Sequence, residues 1–333
     1  MVSAGTTPPA RPISDPLTPG SERDVVRDDT EPSATTDRSA SSDSVATDLS
    51  KQLTETIDTL DLDGAAADIA RSLDISQHDA HERLSTYINE SWVALELVEP
   101  LLRHGVRILE IGSGIGFFAG FLSRQGFDVV ELEPVGAGFE FIGAARAALA
   151  LDEGPEHLDI VVEALDADLH GRFDLIYSLN VLEHVPDWQA ALETAAAVLT
   201  PDGTMRQSCP NYSFPYEPHF GIPLLPVRPA ETARLLPERI TDSELWRSLN
   251  WVTLMGVRQW ADENGYSIEF ESGRLADALE RLSTDAQFAN RHSRVLGVAA
   301  RTARRIGVFN VLRKMPPSWT SPMIFTVRLS PSS

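Results

Sequence analysis

From residue 106 onward the chain alternates. Apolar runs of strand length trade places with amphipathic runs of helix length. "VRILEIG" (106–112) reads as a buried strand and "GFFAGFLSRQG" (116–126) as a helix. "DVVELEP" (128–134) is a strand, "GFEFIGAARAALAL" (138–151) a helix and "HLDIVVEAL" (157–165) a strand. "FDLIYSLNV" (173–181) is a strand, "DWQAALETAAAVLTPDG" (187–203) a helix ended by a Pro-Asp-Gly turn, and "TMRQSCPN" (204–211) a strand. Parallel strands need long crossovers, and helices provide them. Strands covered on both faces read as continuous apolar runs, so this order predicts a doubly wound α/β fold around a mostly parallel sheet. Later, "TLMGVRQWADENG" (253–265) is a helix, and "YSIEFES" and "PMIFTVRLS" are the closing strands. A helical insertion, 274–315, separates those two strands.

Upstream the pattern changes. Residues 1–48 are rich in Ser, Thr, Pro and Asp and poor in large apolar side chains. Such a stretch buries too little surface to offset the entropy of ordering, so an acidic, disordered tail is expected. Residues 49–104 carry apolar residues at three- and four-residue steps, which predicts helices packing on the core, with Gly105 as the final stop. The alternating α/β domain would then occupy 105–329. The chain holds 28 basic and 49 acidic residues, a net charge of −21. Phosphate attraction needs a basic surface, so nucleic acid is not expected as a partner. One cysteine, Cys209, excludes an intrachain disulfide framework and a cysteine zinc site, and fits a cytoplasmic setting. No apolar signal segment opens the chain, and no run has membrane-span length.

The turn "EIGSGIG" places Gly112, Gly114 and Gly116 between a strand and a helix. Glycine there lets the backbone turn tightly and lets a ligand approach. A dinucleotide fingerprint would need a third Gly where Phe117 stands. Glu133 ends the next strand, where a carboxylate can accept from two ribose hydroxyls. "FDLIYSLNVLEHVPDW" then sets Asn180, Glu183 and His184 at the carboxyl end of its strand, the edge where open α/β sheets bind ligands.

In "LEIGSGIGFF", "VVELEP", "FDLIYSLNVLEHV" and "LTPDGTM", in that order, the chain resembles the class I S-adenosylmethionine-dependent methyltransferases. The resemblance is greatest to the branch holding quinone-biosynthesis and natural-product enzymes. It covers 100–212 well and the closing strands loosely. It implies a Rossmann-like, seven-stranded sheet of order 3-2-1-4-5-7-6 with the last strand antiparallel, and S-adenosyl-L-methionine as cofactor. It implies that Gly112, Gly114 and Gly116 form the turn under the methionine and ribose. Glu110 would shape that turn and help orient the amino group, Glu133 would hold the ribose, and Asn180 would line the methionine side. An acid beside the adenine is offered by Asp166, one residue from the usual place, where Leu165 falls.

"CPNYSFPYEPHFGIPLLP" (209–226) follows the fifth strand and is expected over the methyl group, where aromatic, polar loops shape acceptor pockets. Tyr212, Tyr216 and Glu217 are candidates to orient the acceptor. A hydroxyl acceptor needs a general base, and His184 and His219 are the candidates. The sequence offers no convincing carboxylate set for magnesium, so no metal ligand is assigned. The expectation is O-methylation of a small molecule or glycan, with N- or C-methylation as the alternative. A nicotinamide oxidoreductase would need a Tyr-x-x-x-Lys motif, and the chain has only Lys51 and Lys314. A binding protein with lost chemistry would still need the glycines. The insertion mixes Arg291, Arg294, Arg301, Arg304, Arg305, Arg313 and Lys314 with apolar residues, so 291–314 is either a helix paired with acids or a contact for anionic membrane.

Overall fold

A computed structural model describes residues 39–134, 139–151, 154–273 and 313–330. The expected tail up to 38 and nearly all of the basic insertion lie outside the described residues. Three helices come first: α1 (Ser39–Asp58), α2 (Leu62–Leu73) and α3 (Gln77–Val98). Helix α1 therefore begins ahead of the boundary read from composition. Ser76 caps α3 by accepting from the Asp79 amide, and Ala80, Leu84, Ile88, Ser91, Leu95 and Val98 bury one stripe of it. The helix stops at Val98 rather than at Gly105. Pro100 lacks an N–H and clashes with the preceding turn, so the chain tightens into a short 3-10 turn. Gly105 falls beyond it, at φ 84° in the turn leading to the sheet.

Strand β1 (Arg107–Ile111) leads to α4 (Phe117–Arg124), β2 (Asp128–Leu132) to α5 (Glu140–Ala148), and β3 (Glu156–Leu158) to α6 (Ala167–His170). Strand β4 (Phe173–Leu179) leads to α7 (Trp188–Ala197) and β5 (Leu199–Cys209). A small hairpin of β6 (Tyr216–Glu217) and β7 (Ile222–Pro223) follows, then α8 (Glu238–Thr241), α9 (Glu244–Ser248), α10 (Leu254–Asn264), β8 (Tyr266–Phe270) and β9 (Met323–Leu329). The main sheet has seven strands in the order β3-β2-β1-β4-β5-β9-β8. Only β9 runs against its neighbours. This is the expected order and the Rossmann-like methyltransferase topology.

Two expected strands have different bounds. "HLDIVVEAL" is extended only to Leu158, where its pairing with β2 ends at Leu132. A 3-10 turn, Val162–Ala164, takes the rest. The Pro-Asp-Gly stretch, expected as a turn, lies within β5, whose register with β4 shifts between Phe173 and Leu175.

Each face of the sheet has its own core. Leu109, Val130 and Ile176 point toward α7 and α10. Ile108, Val129 and Leu175 point toward α1–α5, against Leu53, Ile69, Leu84 and Phe121. Arg206 on β5 ties the N-terminal helices down. Its Nε donates to the Leu97 carbonyl (2.6 Å), its other nitrogens to Thr326 Oγ1 (3.0 Å) and to Glu271. Helix α3 is thereby held across the carboxyl ends of β1 and β4. No described helix is long and apolar enough to cross a membrane.

Candidate active site

At the end of β1 the backbone takes left-handed conformations at Gly112 (φ 73°), Gly114 (φ 55°) and Gly116 (φ 71°). That region is strained for residues with a Cβ. Space forbids a Cβ as well. One on Gly112 would strike Val181, and one on Gly116 would strike the Arg146 and Glu131 side chains. The Gly112 amide donates to the Leu132 carbonyl (2.8 Å), binding the turn to the end of β2. Glu133, the next residue along the chain, accepts from the Gly114 amide (2.9 Å). Burial raises its carboxyl to about 7 despite that bond. Glu110 lies buried beneath the turn with its Oε2 unpartnered. Burial, reinforced by Glu131, raises it to about 8.

The acid that the sheet buries completely is Glu131, which sequence reasoning passed over. Arg146 from α5 donates to it at 2.6 Å, and Nδ1 of His157 stands 3.1 Å away. An acid inside an otherwise apolar strand was the available signal. Asp166 is elsewhere. Its Oδ1 accepts from the Asp168 and Leu169 amides, so it caps α6.

Helix α3 supplies a wall that the sequence reading did not foresee. A cleft opens between it and the turn, lined by Tyr87, Glu90 and Ser91 on one side and by Glu110, Gly112 and Gly114 on the other. Tyr87 lies against Gly114, where a Cβ would stand 2.9 Å from its ring. Asn180 ends β4 in the left-handed conformation (φ 55°), which Asn tolerates, and its Nδ2 donates to Glu90 (3.1 Å). The signal was a Tyr and an acid three residues apart, beside the buried stripe of α3.

Across the same sheet edge a second group forms. Glu183 and His184 follow β4 in a 3-10 turn, which Asn250 pins by donating to the Leu182 (2.6 Å) and Val185 (2.7 Å) carbonyls. His219 arrives from the β6–β7 hairpin. The Glu183 carboxylate is 0% exposed, and among the described residues neither oxygen has a hydrogen-bond partner on another residue. Nε2 of His184 and Nε2 of His219 each lie 3.9 Å from its Oε1. Both Nδ1 atoms are occupied elsewhere. His219 Nδ1 meets Glu217 Oε1 at 2.6 Å, and a carboxylate only accepts, so the ring donates. His184 Nδ1 meets Ser248 Oγ at 2.8 Å, whose own proton goes to the Leu245 carbonyl (2.8 Å). In neutral rings both lone pairs are therefore on Nε2, turned to Glu183.

Burial lowers His184 to about 4, with the charge of His219 adding to the effect. For His219 burial also lowers, but the hydrogen bond and charge of Glu217, with Glu183 behind it, outweigh it and raise the ring. Burial raises Glu183 to about 7. The ligand-type atoms of Glu183, His184 and His219 lie within 4.8 Å of one another, close enough to share one cation. Tyr212 stands behind, its hydroxyl 3.4 Å from Glu217 and its ring edge-on to Trp251. Glu217 thus positions His219 rather than facing outward. Tyr216 is 40% exposed and stays outside the group.

The chain is similar to known methyltransferases. A family profile described as "Methyltransferase domain" matches residues 76–293, a span that includes α3. An uncharacterised Mycobacterium tuberculosis protein is 32% identical over 257 residues, 72% of this chain and 83% of the relative. The ubiquinone biosynthesis O-methyltransferase of Nitrobacter winogradskyi is 34% identical over 110 residues, 32% of this chain and 40% of its own length. Among solved structures, the CcbJ methyltransferase from Streptomyces caelestis aligns with a TM-score of 0.44 at 14% identity, covering 73% of this chain and 90% of that one. Phosphoethanolamine N-methyltransferase 2 of Haemonchus contortus aligns with a TM-score of 0.42 at 15% identity, covering 73% of this chain, which spans 53% of that longer protein.

Proposed function

The chain belongs to the S-adenosylmethionine-dependent methyltransferase family and is an enzyme with that cofactor, and we propose that it methylates a hydroxyl oxygen on a small molecule or glycan. The donor would lie on the glycine turn, with its ribose on Glu133 and its methionine toward Asn180. Methyl transfer is an in-line displacement from a sulfonium that is already activated, so positioning is the protein's main task. An amine can lose its proton to water at some stage. A hydroxyl gains most from a group that takes its proton as the bond forms.

The observation that carries the choice of oxygen is the convergence of Glu183, His184 and His219 at the sheet edge beside the turn. His219 is the base that fits best. Glu217 holds its Nδ1–H, which frees Nε2 to accept, the same arrangement that orients a histidine in hydrolase triads. His184 is the weaker base because burial lowers it. A second reading rests on the same three groups. Two imidazole lone pairs and a buried carboxylate without hydrogen bonds fit a divalent cation, with Ser248 and Glu217 orienting the rings from behind. Bound there, a cation would supply Lewis acidity to the acceptor oxygen. A cytoplasmic location is the reading that the single cysteine favours.

The test is methyl transfer from labelled S-adenosylmethionine into fractionated cell extract, followed by identification of the labelled product. An O-methyl ether or ester is expected; label found only on nitrogen or carbon would overturn the reading. Dialysis against a chelator separates the two modes. Activity that survives it leaves His219 acting alone, and activity lost and restored by added magnesium, manganese or zinc assigns the cation.

A further inference from the structure

Glu90 has no role in the site as read from sequence, yet it stands between the two groups just described. On one side it lines the cleft over the glycine turn. On the other, its carboxyl lies in the electrostatic field of His219 and of Glu183. Its side-chain hydrogen bond is the one from Asn180 Nδ2, a neutral donor that fixes it without cancelling its charge. The described cleft is lined by two carboxyls, Glu90 and Glu110, and by no Lys or Arg. Burial holds Glu110 mostly protonated near neutral pH, which leaves Glu90 as the acid that can present charge, and a cleft with such an acid and no cation of its own is matched to a cationic ligand.

The donor carries a sulfonium, and its demethylated product carries a neutral thioether at the same atom. For the methyl group to reach an acceptor beside His219, the sulfur must lie between the turn and that histidine, on the Glu90 side of the cleft. We propose that Glu90 reads the sulfonium charge, so that the site holds S-adenosylmethionine in preference to S-adenosylhomocysteine and lets go of the product once the charge has left. A carboxylate and a cation in a partly buried site attract more strongly than in water, and the attraction ends when the sulfur becomes neutral. Bringing a cation to Glu90 also offsets the burial that disfavours its ionised form. The proposal rests on the acceptor-side geometry of the proposed function, but its test needs no acceptor.

Calorimetric titration of the full chain with each of the two ligands provides the test. Glu90→Gln keeps the shape and can still accept from Asn180. It should weaken S-adenosylmethionine about tenfold and change S-adenosylhomocysteine by less than threefold. Glu90→Asp keeps the charge and should preserve most of the wild-type preference, which guards against a variant that merely folds poorly. An equal loss for both ligands would overturn the proposal, because Glu90 would then hold a part common to donor and product. No loss for either ligand would overturn it as well. Failure of the wild type to bind either ligand would remove the donor site itself and the proposal with it. Normal binding with methylation of nitrogen would refute only the choice of acceptor.

Discussion

The donor and acceptor sides proposed for this sheet edge are built by different means. The donor side is mostly backbone. Three glycines in left-handed conformation, a bond from Gly112 to the Leu132 carbonyl and one from Gly114 to Glu133 define it. These parts lie within a short stretch of chain, and α3 and Asn180 close over them from elsewhere. The acceptor side is mostly side chains. Glu183 and His184, His219 with Glu217, and Ser248 with Asn250 come from three separate segments. A cofactor shared by many enzymes can be held by a local turn. An acceptor particular to one enzyme is met by residues that only the folded chain assembles.

If the two sides are separable, substitutions should divide them. His219→Ala should lower turnover on the true acceptor between about 10^2 and 10^4-fold, the usual contribution of a general base. S-adenosylhomocysteine binding should stay within about twofold of wild type, measured on the same preparation. A parallel loss of binding would break the division. Gly112→Val should do the converse. Its side chain meets Val181 and its φ is unfavourable, so calorimetry should detect no donor or product binding. Circular dichroism must show a folded chain for that result to sharpen the comparison, and an unfolded one would make the turn part of the core.

A smaller effect concerns stability. The Glu110 carboxyl is raised to about 8 in the fold, against roughly 4.3 when unfolded. The folded state therefore binds this proton more tightly, and the stability it contributes is full below pH 4 and declines as pH rises toward 8. Glu110→Gln removes that decline. Thermal melts of variant and wild type should coincide near pH 5 more closely than at pH 8.5. At the higher pH the variant should melt about 3–6 °C higher, the shift expected from ~1–2 kcal/mol in a domain of this size. A variant that melts lower at pH 8.5 would mean that the ionised carboxylate stabilises the turn.

The glycine turn and the strand before Glu133 were legible in sequence because their signals are local. Gly112, Gly114 and Gly116 announce their conformation by having no Cβ, and Glu133 follows an apolar run that can only be a strand. The sheet order followed from the family resemblance. Asp166 shows how little one acid after a strand says by itself: its Oδ1 accepts from the Asp168 and Leu169 amides and caps α6, which no sequence signal announced. Tyr87 and Glu90 were missed because a helix ahead of the sheet carries no mark of where it docks. Arg206 fixes that docking through the Leu97 carbonyl, a contact between residues far apart in the chain. His184 and His219 were named as rivals for one role. The fold brings them to one carboxylate, Glu183, with their rings 5.2 Å apart.

The central claim is that the glycine turn and Glu133 together hold the methyl donor. Titration of wild type and Glu133→Ala with S-adenosylhomocysteine tests it directly. Saturable binding of one ligand per chain is expected for the wild type, weakened about tenfold or more in the variant by loss of the charged partner of the ribose hydroxyls. No binding by the wild type, or equal affinity in the two proteins, would contradict it.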